Sequence, residues 1–411
     1  MLSPPLSIGR SNRRLKGEQT APGRQPGETV RVHWLGLLLA SAAAGPTLLA
    51  VFAIGEPWRC RISRAWRGVL VGLVLLGPTW QGAGAGGAPL RRFEFTEPQM
   101  GMPFRIVLYA PDENLAAQAA RAAFARVAEL NQVLSDYEEQ SELVLLNRSA
   151  GSGRDVPLSA DLWRVLERAQ QLAARTDGAF DVTVGPAVQL WRRARRQREL
   201  PIPERLTAAL RAVGYRYLVL DPRRRTARLE VAGMRLDLGG IAKGYALDQA
   251  LAVLRARGLP RALVSGGGDM VAGAPPPDAK AWRIELAPLD VADAPPALFV
   301  WLKHAGLATS GDLFQHVEIS GRRYSHIVDP RTGIGLTDHS LVTVIAPDGL
   351  TADSLATAVS VLGPEAGLRL VESTRRVAAR IVRQPAGQVQ VCESRRFTRF
   401  VAGPAAATSR P

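Results

Sequence analysis

Hydrophobic and polar positions change period along the chain. Alternation with a period of two predicts strands at FRIVLYA (104–110), RYLVLD (216–221), TARLEV (226–231), MRLDL (234–238), RALVSG (261–266), WRIEL (282–286) and LVTVIA (341–346). Between them the period lengthens to that of a helix. Asp112 is placed to cap a long helix carrying Leu115, Ala119, Ala123, Val127, Leu130 and Leu134 on one side. Ser159 caps a second helix through 176, and a third starts near Tyr245 with Leu247, Leu251 and Leu254 on one face. Two more follow at ADSLATAVSVLG (352–363) and GPEAGLRLVEST (363–374), while the proline-rich 273–278 and 287–297 read as loops. Strands and helices mixed in this way predict an α+β fold over 93–402, compact and built of two intimately joined lobes.

Composition fits a globular chain, with 411 residues, 46% hydrophobic and 22% charged. Cys60 and Cys392 make no disulfide framework, and no C-x-x-C or His/Cys cluster predicts zinc. The net charge of +15 invites a nucleic-acid reading until it is located. Residues 1–90 hold ten Lys/Arg against three Asp/Glu, so the other 321 residues carry only +8. The basic run WRRARRQRE (191–199) reads as a solvated turn or helix face, and no nucleic-acid motif accompanies it. Residues 1–31 read as a disordered basic leader, and 403–411 as a disordered tail. The apolar run 32–55 is long enough to span a bilayer, with Pro46 inside it. A basic stretch, a second apolar run (69–76) and small residues to Ala85 or Ala88 have the parts of a secretory signal. Together 32–90 predict export to the periplasmic side, with either cleavage or a membrane anchor.

Several short segments are too polar and glycine-rich to serve packing alone. In DLGGIAKG (237–244) two glycines, an acid and a lysine stand where an extended segment meets a helix, which offers free N–H groups to an anion. This is neither a GxGxxG nor a Walker loop. A second close backbone approach with an acid is GGGDMVAG (266–273). Tyr137 sits in a polar stretch, as surface decoration or as a platform for a flat ring. In TDGAFDVTVGP (176–186) Asp181 reads as a turn cap, and His326 beside Asp329 reads as a hydrogen-bonded pair or a proton-transfer site. Asp353 and Thr357, four apart on one helix, share a face and are hard oxygen ligands suited to Mg²⁺, or else a cap and a buried hydroxyl.

Taken together, DLGGIAKGYALD, TDGAFDVTVGP, SHIVDPRTG and ADSLATA resemble the FAD:protein FMN transferases, the ApbE family, across about 100–372. The resemblance implies a T-fold-like α+β domain and an enzyme that uses Mg²⁺ to split FAD. It would pass the FMN half to a Thr or Ser hydroxyl of a membrane or periplasmic redox subunit, with AMP leaving. Carried over by motif, Met100, Tyr137, Gly178, Ala179, Phe180, Asp237, Lys243 and His326 would contact FAD. Asp353, Thr357 and the carbonyls of Gly240 and Ala356 would hold the metal. Lys243 and Asp353 would serve catalysis together with His326 as proton acceptor, with Asp329, Asp181 and Asp312 as alternative bases. Met102 and Ser265 depart from the family pattern, which touches flavin contact rather than the metal and pyrophosphate positions. Two other activities remain open at this level: an FAD diphosphatase releasing FMN and AMP, and a flavin-binding carrier without turnover.

Overall fold

The alternating segments assemble into one eight-stranded sheet. Its strands are β1 (Arg91–Gln99), β2 (Met102–Ala110), β3 (Ala262–Gly266), β4 (Asp269–Ala272), β5 (Ala305–Gly311), β6 (Ser340–Ala346), β7 (Ala378–Arg383) and β8 (Gln390–Glu393). They lie side by side in chain order, each antiparallel to the next. This computed structural model describes residues 29–30, 89–291, 294–312 and 315–402. The expected leader, apolar segments and tail therefore lie outside the described residues, apart from Thr29, Val30, Pro89 and Leu90. Among the described residues no helix is long and apolar enough to cross a membrane.

Both faces of the sheet are covered, which explains why β6 is buried at every position and reads as a continuous apolar run. Val342, Val344 and Ala346 face one core with Ile106, Leu108 and Val264. Onto that face pack α1 (Glu113–Leu134), α6 (Ala242–Ala256) and α7 (Gly349–Glu372) through Ala119, Ala123, Leu247, Leu251, Leu355 and Val359. Ile345 faces a second core with Leu263, Trp282, Ile284, Val300 and Phe397. There the strands Trp282–Leu286 and Leu298–Leu302, with Thr29–Val30 parallel at the edge, form a three-stranded sheet. The remaining helices, α2 (Glu142–Arg148), α3 (Ala160–Arg175), α4 (Gly185–Gln197) and α5 (Pro203–Leu210), belong to the long excursion between β2 and β3.

Local rules account for most boundaries. Asp112 and Ser159 cap α1 and α3 as expected, accepting from Leu115 N–H at 2.9 Å and Leu162 N–H at 3.2 Å. Leu115 itself is exposed, because the buried stripe of α1 runs through Ala116 and Ala120 instead. Helix α7 begins at Gly349, three residues earlier than expected, and its Gly363 (φ 74°) with Pro364 breaks it where two helices meet in the sequence reading. The expected strand at 234–238 joins no sheet among the described residues and makes one bridge, between Arg235 and Val184. The Asn147 side chain takes the place of a neighbouring strand, accepting from Leu236 N–H at 2.7 Å and donating to its carbonyl at 3.2 Å.

Helices α6 and α7 cap each other. Asp248 of α6 accepts from the N–H groups of Gly349 and Leu350 at 2.8 and 2.9 Å, while Asp353 of α7 accepts from Gly244 N–H at 2.9 Å. The helices approach so closely that a Cβ on Gly244 would lie 2.1 Å from the Gly349 carbonyl oxygen. Burial pushes the Asp248 carboxyl up to about 7, against the two N–H groups that favour its charge. Replacing Asp248 with Ala leaves two N–H groups without their acceptor and should destabilise the domain by about 2–4 kcal/mol in a denaturant titration. Because the folded pKa lies above the unfolded one, the group's contribution to stability grows as pH falls from about 7 towards 4. Asp248→Asn should flatten that part of the stability profile, and an unchanged slope would exclude Asp248 as its source.

Candidate active site

Lys243 is the second residue of α6, and its side chain crosses to the turn between β3 and β4. Its Nζ pairs with Asp269 and stands 3.7 Å from Asp353 Oδ1. Both acids are 2% exposed, and Asp269 also accepts from Thr309 N–H on β5 at 3.1 Å. Burial alone would lower the lysine pKa, but the two carboxylates outweigh it and hold the ammonium charged. The Asp353 carboxyl is pushed up to about 7, first by burial and then by the neighbouring Asp269, with Lys243 opposing. Two buried acids against one lysine leave a deficit of positive charge at the joined helix N-termini.

The surroundings fit a hard cation. Asp353 uses Oδ2 on Gly244 N–H, so Oδ1 keeps acceptor capacity. Thr357 lies one turn further along α7, and a Cβ on Gly240 would be 2.8 Å from its hydroxyl oxygen, so only glycine admits this contact. Gly244 N–H is turned to Asp353, and among the described residues no backbone N–H outside regular elements bonds the Gly240 carbonyl. Ala356 lies fully buried inside α7 and its carbonyl accepts the Ser360 hydroxyl at 2.9 Å. A carboxylate, a hydroxyl and a carbonyl are donors suited to Mg²⁺, with open positions left for water or phosphate oxygens. Among the described residues no three His, Cys, Asp or Glu side chains gather as a metal cluster.

Three residues before Gly240, Asp237 begins a second cluster. Its carboxylate accepts from Gly239 N–H at 2.8 Å and from Arg192 at 2.7 Å, and its own N–H donates to the Val182 carbonyl at 2.8 Å. Arg192 also pairs with Asp136, and its guanidinium carbon lies 4.4 Å from the centre of the Tyr137 ring. Tyr137 is 74% exposed. Burial raises the Asp237 carboxyl, Asp136 adds to this, and Arg192 opposes it. Met100 lies at the two-residue turn between β1 and β2, and the neighbouring Met102 sulfur packs beside Gly267 near Lys243. Ala179 and Phe180 are buried, next to Gly178 at φ 75°.

His326 is presented at the surface, with Nδ1 3.1 Å from the Gln315 carbonyl. A carbonyl only accepts, so Nδ1 carries the proton and the neutral ring offers its Nε2 lone pair. Although one side of the residue is open to solvent, desolvation of the ring by the protein around it is the main pull, and Lys243 and Arg195 add positive charge; together they bring it down to about 4, so it is neutral at pH 7. The alternative bases are engaged elsewhere. Asp329 grips Arg331 at 2.8 and 2.9 Å and closes its own turn rather than pairing with His326. Asp181 is buried against Thr183, accepting from its N–H at 2.8 Å and hydroxyl at 2.7 Å. Asp312 is tied to Arg323 and to His339 at 2.8 Å.

Sequence reading missed Arg192, Asp136 and the partnership of Asp269 with Lys243. The basic run 191–199 is mostly solvated as expected, but Trp191 and Ala194 are buried and Arg192 turns inward. Helical spacing from Trp191 and Ala194 marks the inner face of α4, and Arg192 lies beside it.

Comparison with known proteins follows the same residues. The ApbE family profile matches 100–381. A Treponema pallidum protein named FAD:protein FMN transferase is 34% identical over 322 residues, covering 74% of this chain and 88% of its own. One of the same name from Haemophilus influenzae is 33% identical over 267 residues, with 64% and 77% covered. Among solved structures, the flavinyl transferase ApbE of Pseudomonas stutzeri in apo form is similar with TM-score 0.68 at 32% identity, with 77% of this chain and 99% of that one covered. The Vibrio cholerae flavin transferase ApbE gives TM-score 0.66 at 28% identity, covering 76% and 100%. In a histidine NMR titration, the resonance lost in His326→Ala should report a midpoint near 4 in the wild type. A midpoint at the ordinary histidine value of about 6.5 would show a ring free of these influences.

Proposed function

Because the chain belongs to the ApbE family, we propose that it transfers the FMN half of FAD to a Thr or Ser hydroxyl of an acceptor protein through a phosphoester bond, with Mg²⁺ bound at Asp353, Thr357 and Gly240. The observation that carries this reading is the buried pairing of Lys243 with Asp269 and Asp353 at two joined helix N-termini. That is a site in need of positive charge, beside a buried ammonium that favours phosphate. Mg²⁺ held there would neutralise pyrophosphate charge and polarise the phosphorus being attacked.

Each side chain then has a task in a transfer governed by positioning and electrostatics. Asp269 holds Lys243 in place, so its charge meets the diphosphate without searching for a rotamer. Asp237 and Tyr137 take the ring-bearing ends of FAD, with Gly178, Ala179 and Phe180 lining the approach and Met100 closing it. His326 Nε2 accepts the acceptor's hydroxyl proton. The freed oxygen bonds to the phosphorus of the FMN half, the bridging P–O bond breaks, and that oxygen leaves with AMP. The negative pyrophosphate opposes the fields of Lys243 and Arg195, which raises the ring's proton affinity when substrate is bound. We further propose that the domain works on the exported side of a membrane on a redox subunit, a reading supported by the apolar runs 32–55 and 69–76.

Incubation with FAD, Mg²⁺ and a threonine-containing acceptor peptide should add one FMN to the peptide by mass spectrometry. Free FMN and AMP with unmodified peptide would make the protein a diphosphatase, and unchanged bound FAD would make it a carrier. Asp353→Ala should abolish turnover, and full activity would remove the metal assignment. His326→Ala should slow transfer at least about a hundredfold while leaving FAD affinity within about threefold.

A further inference from the structure

The cluster around Arg192 has more built structure than a surface ion pair requires. Its guanidinium is shared between two carboxylates whose side chains are each 10% exposed, Asp136 and Asp237, on segments about a hundred residues apart. The same group lies over one face of Tyr137 at 4.4 Å from the ring centre, while the tyrosine as a whole is 74% exposed. The loop carrying Tyr137 is itself fixed. Ser135 Oγ accepts from the N–H groups of Tyr137 and Glu138 at 3.1 and 3.3 Å, and Arg235 donates to the Asp136 carbonyl at 3.0 Å. Arg192 has its own support in Trp191 and Ala194, which bury the inner face of α4.

We propose that Arg192 is a positioning residue for the planar ring of the bound dinucleotide. It backs Tyr137 from one side so that the outer face stands ready to stack, and it fixes the Asp237 carboxylate beside that face. An arginine suits this task where a lysine does not. Its planar fork reaches both carboxylates at once while its flat face lies on the aromatic ring. An exposed tyrosine without such backing would lose rotamer freedom each time a ligand stacked on it. Without the guanidinium, Asp136 and Asp237 would also face each other as like charges in a partly buried site. The inference rests on the flavin-transfer reading, because it requires FAD as the ligand.

The test is FAD binding followed by flavin fluorescence and equilibrium dialysis, with melting temperature as a control for folding. Arg192→Ala should weaken FAD binding about tenfold, the factor that corresponds to about 1.4 kcal/mol. The same variant should raise KM with kcat within about twofold, the pattern of lost uniform binding. Arg192→Lys keeps the charge but loses the fork, and should recover less than half of the lost affinity on a logarithmic scale. In a Tyr137→Ala background the Arg192→Ala change should weaken binding less than about threefold, because the two residues act as one unit. Wild-type affinity in Arg192→Ala, full recovery by lysine, or an undiminished effect in the Tyr137→Ala background would each overturn the proposal. Failure of the wild type to bind FAD would instead remove the flavin reading beneath it.

Discussion

The site depends on one constraint, the mutual capping of α6 and α7. Each helix lends a carboxylate to the other's first turn, Asp248 in one direction and Asp353 in the other. Gly244 and Gly349 leave no side chain between the backbones. This places two positive helix ends side by side and brings Lys243, Asp353 and Thr357 to one point. The acid that completes one helix is thus also the acid that needs a counter-charge. Structural and chemical demands fall on the same residue, which is why Asp353 is deeply buried and still only partly neutralised.

Much of this was legible in the sequence, and the exceptions have physical causes. Periodicity found β2, β3 and β6 and the long helices because burial alternates or recurs along them. It failed at 234–238, where the apolar alternation is real but the hydrogen-bond partner is the Asn147 side chain rather than a strand. It could not pair Asp248 with Gly349, since tertiary capping leaves no local pattern. The i and i+4 spacing of Asp353 and Thr357 is a local pattern and is legible, while the bond from the Ser360 hydroxyl to the Ala356 carbonyl inside α7 is not. Arg192 was hidden by its neighbours, one inward arginine in a run of solvated ones.

The two halves of the site are built on different principles. Around Lys243, charge is concentrated by burial and by backbone dipoles, and little of it is free to move. Around Tyr137, the Arg192 charge lies against an exposed aromatic ring and joins two carboxylates that are mostly buried. Only two residues of chain, Leu238 and Gly239, separate Asp237 of one cluster from Gly240 of the other. Val182, through its carbonyl, ties that short link to the segment carrying Phe180.

The sheet's chain-order layout governs how such a site can come into being. Three neighbouring pairs are joined by short turns and three by about 30 residues, but β2 and β3 are separated by about 150 residues that include five helices before α6. Closing that long excursion costs loop entropy before its contacts compensate, and pairings of this span form late. Lys243 lies at the closing end of the excursion and Asp269 just beyond it. The pairing of Lys243 with Asp269 and Asp353 therefore joins segments from both sides of β3, and it is complete only when the sheet is in register and α7 is packed on α6.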